Sequence, residues 1–154
     1  MKIIALTFIL LTSLFALQKG DVVPDNLAKH IGITQDKIYV IDFFASWCAS
    51  CKKEIPLMSK ANLHVDNSKV EFIGIDVDKD VQKGISFQNS LKEQNKLNFR
   101  VINDPQNNII KAFKPIGMPT LYYVKNQKIL GIITGAVDEI DIVIANDLKS
   151  FGEQ

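Results

Sequence analysis

The order of apolar and polar positions along the chain predicts alternating strands and helices. Runs rich in β-branched and aromatic residues predict buried strands, whereas apolar positions three or four apart predict helices. A turn at Asn126-Gln127 between two apolar runs predicts a hairpin. We expect strands at residues 38–44, 70–77, 99–102, 120–124 and 129–134, and helices at about 48–63, at 81–95, from Asn103-Asp104-Pro105 onwards and at 140–151, with one helical turn near 26–30 before them.

This order, β-α-β-α-β-α-β-β-α, predicts an α/β domain. Strands that alternate with helices favour a central, partly parallel sheet covered on both faces, and the hairpin adds an antiparallel edge. A chain of 154 residues suits one such domain and is long enough to bury a core.

Residues 1–17 differ from the rest of the chain. Lys2 is followed by 15 residues without charge, which is the form of a secretory signal. As a helix this stretch would be roughly 22 Å long, shorter than the ~30 Å hydrocarbon layer of a membrane. Cleavage after Ala16 would leave the bulky Leu14 at position −3, so retention as a short N-terminal membrane anchor stays open. We expect residues 1–17 to be a signal peptide or anchor, and residues 18–154 to work outside the cytoplasm.

The charge balance gives no sign of a nucleic-acid partner. Lys and Arg number 18, and Asp and Glu number 17, so the net charge is +1. Proteins that bind nucleic acids usually carry a clear basic excess. We therefore expect no nucleic-acid partner.

Cys48 and Cys51, the only cysteines, stand two residues apart where the first strand is expected to meet its helix. Two thiols so placed can close into a disulfide and reopen, and so short a loop would stabilise the fold little. A helix N-terminus favours the thiolate of Cys48, which is the nucleophilic form. A zinc site would need His30 and His64 in addition, and their spacing does not fit one, so we expect no metal and two surface histidines. The pattern indicates dithiol–disulfide exchange.

Three landmarks in order resemble the thioredoxin superfamily. The segment from Ile41 to Lys52 looks like its strand and active-site motif, Pro56 falls where its helix kinks, and Gly117-Met118-Pro119-Thr120 looks like its cis-proline loop. The sequence Lys52-Lys53-Glu54-Ile55-Pro56 and the segment 99–116 are similar to the exported TlpA-like and ResA-like branch. The resemblance covers about residues 25–152. It implies a thioredoxin-like fold, with a central mixed sheet flanked by helices on both faces and a strand-helix insertion.

The branch resembled consists of periplasmic or extracytoplasmic thiol-disulfide oxidoreductases. The resemblance implies a monomeric reductant of protein disulfides that uses no cofactor. Its partners would be protein thiols and disulfides, among them apocytochrome c or its chaperones, and a membrane electron donor of the DsbD or CcdA type. A disulfide oxidase or isomerase and a peptide-binding module on the same fold are the alternatives. A peroxidase of the peroxiredoxin type is disfavoured, because Cys48 does not end a Pro-x-x-x-Thr-x-x-Cys arrangement.

The resemblance also implies roles for the two cysteines and two acids. Cys48 would attack a substrate disulfide, and Cys51 would resolve the mixed disulfide. Asp42 matches the aspartate that assists proton transfer at the second cysteine of thioredoxins. Glu54 matches a glutamate that tunes the thiols in the ResA-like group. The alternatives are that Asp42 turns to solvent at a strand edge and that Glu54 is a solvated helix acid, so which acid acts as the base stays open.

Four further residues are candidates for substrate binding: Trp47, Met118, Pro119 and Thr120. By the resemblance Pro119 is cis, and the backbone of Met118 pairs with an extended substrate segment. Trp47 would flank the cysteines as an exposed apolar contact, with core packing as the alternative.

Overall fold

The computed structural model describes residues 16–152. In that part of the chain five strands and five helices follow one another as α1 (Asp25–Ile31), β1 (Ile38–Phe44), α2 (Ala49–Asn62), β2 (Val70–Asp76), α3 (Val81–Glu93), β3 (Arg100–Asn103), α4 (Asn108–Phe113), β4 (Thr120–Lys125), β5 (Lys128–Thr134) and α5 (Ile140–Ser150).

The strands form one mixed sheet in the order β3-β2-β1-β4-β5. Strands β1, β2 and β3 run parallel, and β4 and β5 are antiparallel to their neighbours. All seven residues of β1 are buried, because this strand is central and covered on both faces. Along the chain, α3 and β3 follow β2 and precede α4, and β3 is the edge strand on the parallel side of the sheet. The predicted thioredoxin-like fold with a mixed sheet is confirmed.

Helices cover both faces of this sheet. Phe43 and Phe44 point to opposite faces, because successive side chains of a strand alternate. The ring of Phe43 lies 5.3 Å from that of Phe113 in α4, and the ring of Phe44 lies 6.2 Å from that of Phe87 in α3. Helix α2 packs beside α5. The core therefore lies in two layers, one on each side of β1.

Most element boundaries fall within two residues of the sequence prediction, and α4 is the exception. The prediction that a helix starts at Asn103-Asp104-Pro105 is wrong, because α4 begins at Asn108. The carboxylate of Asp104 accepts hydrogen bonds from the N–H groups of Asn108, Ile109 and Ile110, at 2.7 to 3.0 Å. Asp104 thus satisfies the first N–H groups of the helix from outside it.

The turn at Asn126 and Gln127 is the hairpin turn that the sequence predicts. Both residues have positive φ, 50° and 62°, as the tightest hairpin turns require.

The first helix, α1, is longer than the single turn expected near residues 26–30. It is capped at its C-terminus by Gly32, whose φ of 85° suits glycine.

Residues 1–15, which make up most of the predicted leader, lie outside the described residues. Leu17 is buried, and its N–H donates to the carbonyl of Phe113 at 3.0 Å, so the packed domain includes this residue. Within residues 16–152, no helix has the length and apolar character needed to cross a membrane.

Candidate functional site

Cys48 and Cys51 form a disulfide at the start of α2. Cys48 is the N-cap residue of this helix, and its Sγ accepts a hydrogen bond from the N–H of Cys51 at 3.3 Å. Cys48 is 7% exposed, whereas Cys51 is fully buried. The sulfur of Cys48 therefore lies where a helix N-terminus stabilises an anion, and Cys48 is the more exposed of the two cysteines.

The loop before Cys48 sets the position of its sulfur. Strand β1 ends at Phe44, whose carbonyl accepts the N–H of Val77 at 3.0 Å. Residues 45–47 then turn the chain into α2, and the N–H of Cys48 closes the turn on the carbonyl of Ala45 at 3.1 Å. Because β1 is central and rigidly packed, the disulfide is presented at the carboxyl end of the middle strand.

The loop before β4 reaches the same end of the sheet. Thr120, its first strand residue, pairs with Phe43 of β1, so Met118 and Pro119 lie beside the loop that carries the cysteines. The Met118–Pro119 peptide bond is cis. Thr120 Oγ1 donates to the carbonyl of Gly117 at 2.7 Å. Pro119 and Thr120 are buried, and Met118 is half-buried, so Met118 is the residue of this loop motif with both apolar character and access to solvent.

Two apolar side chains stand exposed on these two loops. Trp47 is 66% exposed, which excludes core packing for it, and Ile116 is 88% exposed. Sequence reasoning missed Ile116, since an isoleucine after a helical stripe usually indicates core. The available signal was its place directly before the Gly117-Met118-Pro119 motif.

Asp42 of β1 and Glu54 of α2 are both buried. Asp42 is completely inaccessible in β1, and neither of its carboxylate oxygens has a hydrogen-bond partner among the described residues. Glu54 is 5% exposed, and its Oε2 likewise lacks a partner there. The alternatives of a strand-edge acid and a solvated helix acid are therefore excluded.

Burial perturbs both carboxyl groups. It raises the pKa of Glu54 from 4.5 to about 7. Burial also raises the pKa of Asp42 well above its usual value, and the nearby charge of Glu54 adds to the increase. A carboxyl whose pKa lies near 7, such as that of Glu54, can take up and release a proton near neutral pH.

Glu54 differs from Asp42 in lining a cleft open to solvent. The cleft has a volume of about 310 Å³, and its other walls come from the first two turns of α2 and the loop before α5, namely Ala49, Ser50, Lys53, Leu57 and residues 136–139. Glu54 thus stands between the inaccessible Asp42 and the solvent in the cleft. A larger groove of about 600 Å³ lies between α2 and α5 at the opposite end of α2 from the disulfide.

The two histidines lie apart from this site. His30 is in α1 and His64 follows α2, and both are exposed. Across residues 16–152, no three His, Cys, Asp or Glu side chains are grouped so that they could hold a metal ion.

Comparison with known sequences shows which family this chain matches. Residues 14–132 match the AhpC/TSA family. The chain is 26% identical over 121 residues to the thiol-disulfide oxidoreductase ResA of Bacillus subtilis, an alignment that covers 77% of this chain and 65% of the relative. The chain therefore spans slightly less than two thirds of the length of that relative.

Solved structures show the same fold. A Chlorobium tepidum protein, proposed to be the thiol:disulfide interchange protein DsbE, superposes with a TM-score of 0.73 at 21% identity, covering 88% of this chain and 98% of that one. StoA from Bacillus subtilis superposes with a TM-score of 0.61 at 23% identity, covering 79% of this chain and 86% of that one.

Proposed function

We propose that this chain, which belongs to the AhpC/TSA family, is a thiol-disulfide oxidoreductase that reduces protein disulfides outside the cytoplasm. One observation carries the proposal: a disulfide at the N-terminus of α2 with one partly accessible sulfur, Cys48, and one buried sulfur, Cys51. An attacking and a resolving thiol need this asymmetry. The likeness to ResA supports the same activity.

In the proposed cycle the reduced protein delivers two electrons to its substrate. The Cys48 thiolate attacks one sulfur of the substrate disulfide, that bond breaks, and the departing sulfur takes up a proton. The thiol of Cys51 then loses its proton and attacks Cys48. The mixed disulfide breaks, the second substrate thiol leaves, and the Cys48–Cys51 disulfide forms.

The two buried acids would handle the proton of Cys51. Asp42 would accept it, because this buried carboxyl lies close enough to Glu54 of α2 for their charges to interact and has no hydrogen-bond partner among the described residues. Glu54 would pass it to solvent, because Glu54 lines the open cleft. The raised pKa of Glu54, about 7, allows proton uptake and release near neutral pH.

Substrate would bind across the two loops beside the disulfide. An extended segment would pair with the backbone of Met118, next to Pro119 and Thr120. Its apolar side chains would contact Trp47 and Ile116, whose exposed surfaces flank the motif. Burial of one such side chain contributes roughly 1.5–3 kcal/mol.

Location and pathway rest on the leader and on the likeness to ResA. Residues 1–17 would direct export or anchor the domain, and a membrane donor of the DsbD or CcdA type would reduce the disulfide after each turnover. Apocytochrome c or one of its chaperones would be the substrate. Trapping with Cys51→Ala, which halts the cycle at the mixed disulfide, tests this, because the captured partners should include such proteins and the donor.

Reduction of insulin tests the activity itself. The wild type should accelerate insulin reduction by dithiothreitol, whereas Cys48→Ser should not. If both proteins were equally inactive, the chain would be a binding module. Equilibration with dithiol buffers measures the reduction potential and so shows whether the protein reduces or oxidises its substrates. A reduction potential above about −180 mV would favour the oxidase or isomerase alternative.

A further inference from the structure

Asp78 forms hydrogen bonds with Ser46 in the loop before Cys48, although the two residues are 32 positions apart in the chain. One carboxylate oxygen, Oδ2, accepts the backbone N–H of Ser46 at 2.6 Å. The other, Oδ1, accepts the hydroxyl of Ser46 at 2.9 Å. Asp78 is 5% exposed, so water competes little for these two hydrogen bonds.

Asp78 is itself fixed by a buried polar network at the carboxyl ends of the strands. Its N–H donates to Oδ1 of Asp76 at 2.9 Å. Gln88 of α3 donates to Oδ2 of Asp76 and to Oδ1 of Asn103, both at 2.7 Å. The ends of β2 and β3 and one face of α3 therefore support the carboxylate that holds Ser46.

The packing around this network leaves little room for movement. A methyl group at Gly84 in α3 would lie 2.6 Å from Oδ2 of Asp76 and 3.3 Å from Cβ of Asp78. The helix thus approaches the two acids so closely that only glycine fits without displacement. A rigid support of this kind transmits a fixed position to the loop.

Ala45 of this loop is buried in the core, whereas Ser46 is held by hydrogen bonds. Over the described residues, these two hydrogen bonds are the side-chain hydrogen bonds that tie residues 45–47 to another element. The side chain of Trp47 is largely exposed. Ser46 is therefore the residue through which side-chain hydrogen bonds tie the loop to another segment, two residues before Cys48.

We propose that Asp78 is a positioning residue, which acts through Ser46 to keep the sulfur of Cys48 at the N-terminus of α2. The sulfur accepts the Cys51 N–H there, and the helix end favours its anionic form. When the hydrogen bonds between Asp78 and Ser46 are lost, the loop moves and the Cys48 thiolate loses part of this stabilisation. The catalytic meaning of this role rests on the proposed function.

The rate at which iodoacetamide alkylates Cys48 in the reduced protein, followed from pH 5 to 9, measures this effect, because only the thiolate reacts. Asp78→Ala removes both hydrogen bonds and should slow alkylation about tenfold at pH values where the thiolate is the minor form, because the thiolate fraction limits the rate there. Ser46→Ala removes one hydrogen bond without changing charge and should give a smaller decrease, about threefold. Asp78→Asn keeps an acceptor for the Ser46 N–H and should restore most of the rate.

If Asp78 acted on Cys48 only through its negative charge, the alkylation rates of the variants would change in the opposite direction. A nearby carboxylate disfavours a thiolate, so its removal would speed alkylation equally in Asp78→Ala and Asp78→Asn, and that outcome overturns the proposal. Asp80→Asn is the matched control, because it removes an exposed negative charge two residues away, keeps an oxygen to accept the N–H groups of Gln82 and Lys83 at the start of α3, and does not contact Ser46; it should keep the wild-type rate.

Two further comparisons distinguish the positioning role of Asp78 from an effect on folding and from the proposed function. If Asp78→Ala fails to fold, Ser46→Ala carries the test, and a wild-type rate in that variant overturns the proposal. A lower unfolding temperature with unchanged alkylation in either variant also overturns it, since the role would then be structural only. Alkylation needs no substrate, so an inactive wild type with a reactive Cys48 would refute the proposed function and leave this inference standing.

Discussion

Replacing Glu54 by Gln tests whether a buried carboxyl beside Asp42 keeps its proton near neutral pH. Glutamine preserves the size and shape of the side chain and cannot ionise. In the oxidised protein the two cysteines do not titrate, so the difference between wild type and variant isolates this carboxyl and its coupling to Asp42. The quantity to compare is the free energy of unfolding as a function of pH.

The raised pKa of Glu54 sets both the direction and the size of the effect. Below pH 4.5 the carboxyl is protonated in the folded and unfolded states alike. Between pH 4.5 and about 7 the unfolded chain has lost this proton while the folded protein keeps it, so wild-type stability falls as pH rises. The interval from 4.5 to about 7, at about 1.36 kcal/mol for each pH unit, gives an upper limit of about 3 kcal/mol. Glu54 lines an open cleft, and solvent screening there reduces the expected value to about 1–3 kcal/mol.

Urea unfolding of both oxidised proteins at pH 4, 6 and 8, followed by circular dichroism, is the assay. The stability of Glu54→Gln relative to wild type should increase by about 1–3 kcal/mol from pH 4 to pH 8, whatever the offset at pH 4. Asp138→Asn, which alters an exposed acid at the rim of the same cleft, controls for net charge and should show no such trend. A difference that stays constant from pH 4 to pH 8 would refute the reasoning, because Glu54 would then ionise equally in both states.

Four other substitutions test the site and the packing that supports it. Asp42→Asn should slow resolution of the mixed disulfide at least tenfold in stopped-flow measurements, because a buried proton acceptor is lost; an unchanged rate would contradict its role. Trp47→Ser and Ile116→Ser should each raise KM for a protein disulfide about tenfold and leave the reduction of oxidised glutathione within about twofold, since only the large substrate buries these side chains; equal losses on both substrates would argue against a docking surface. Gly84→Ala should lower the free energy of unfolding by about 1–3 kcal/mol, because its Cβ would lie 2.6 Å from a carboxylate oxygen of Asp76; an unchanged unfolding temperature would contradict the close packing.

Local patterns were sufficient for most of the fold. The continuous apolar run from Ile38 to Phe44 predicted a strand buried on both faces, and β1 is the central strand. The start of α4 was misplaced because Asp104 acts as an external cap, and its bonds to the helix form only once the loop folds back on itself. Sequence periodicity has no signal for such a bond.

The candidate site likewise has features that local sequence patterns predict and features that depend on the folded structure. The cysteine spacing and its place before a helix predicted that Cys48 and Cys51 can pair, and they form a disulfide at the start of α2. The sequence left open whether Asp42 and Glu54 are buried, because the burial of a polar side chain depends on which elements pack over it. The exposure of Ile116 was missed for the same reason.

Sequence alone determined the order of strands and helices and the cysteine pair, because both depend on residues close together along the chain. Only the tertiary structure decided that Asp42 and Glu54 are buried and that Asp78 holds Ser46. The physical reason is that desolvation and long-range hydrogen bonds arise between segments that meet only when the sheet closes and its helices pack on both faces.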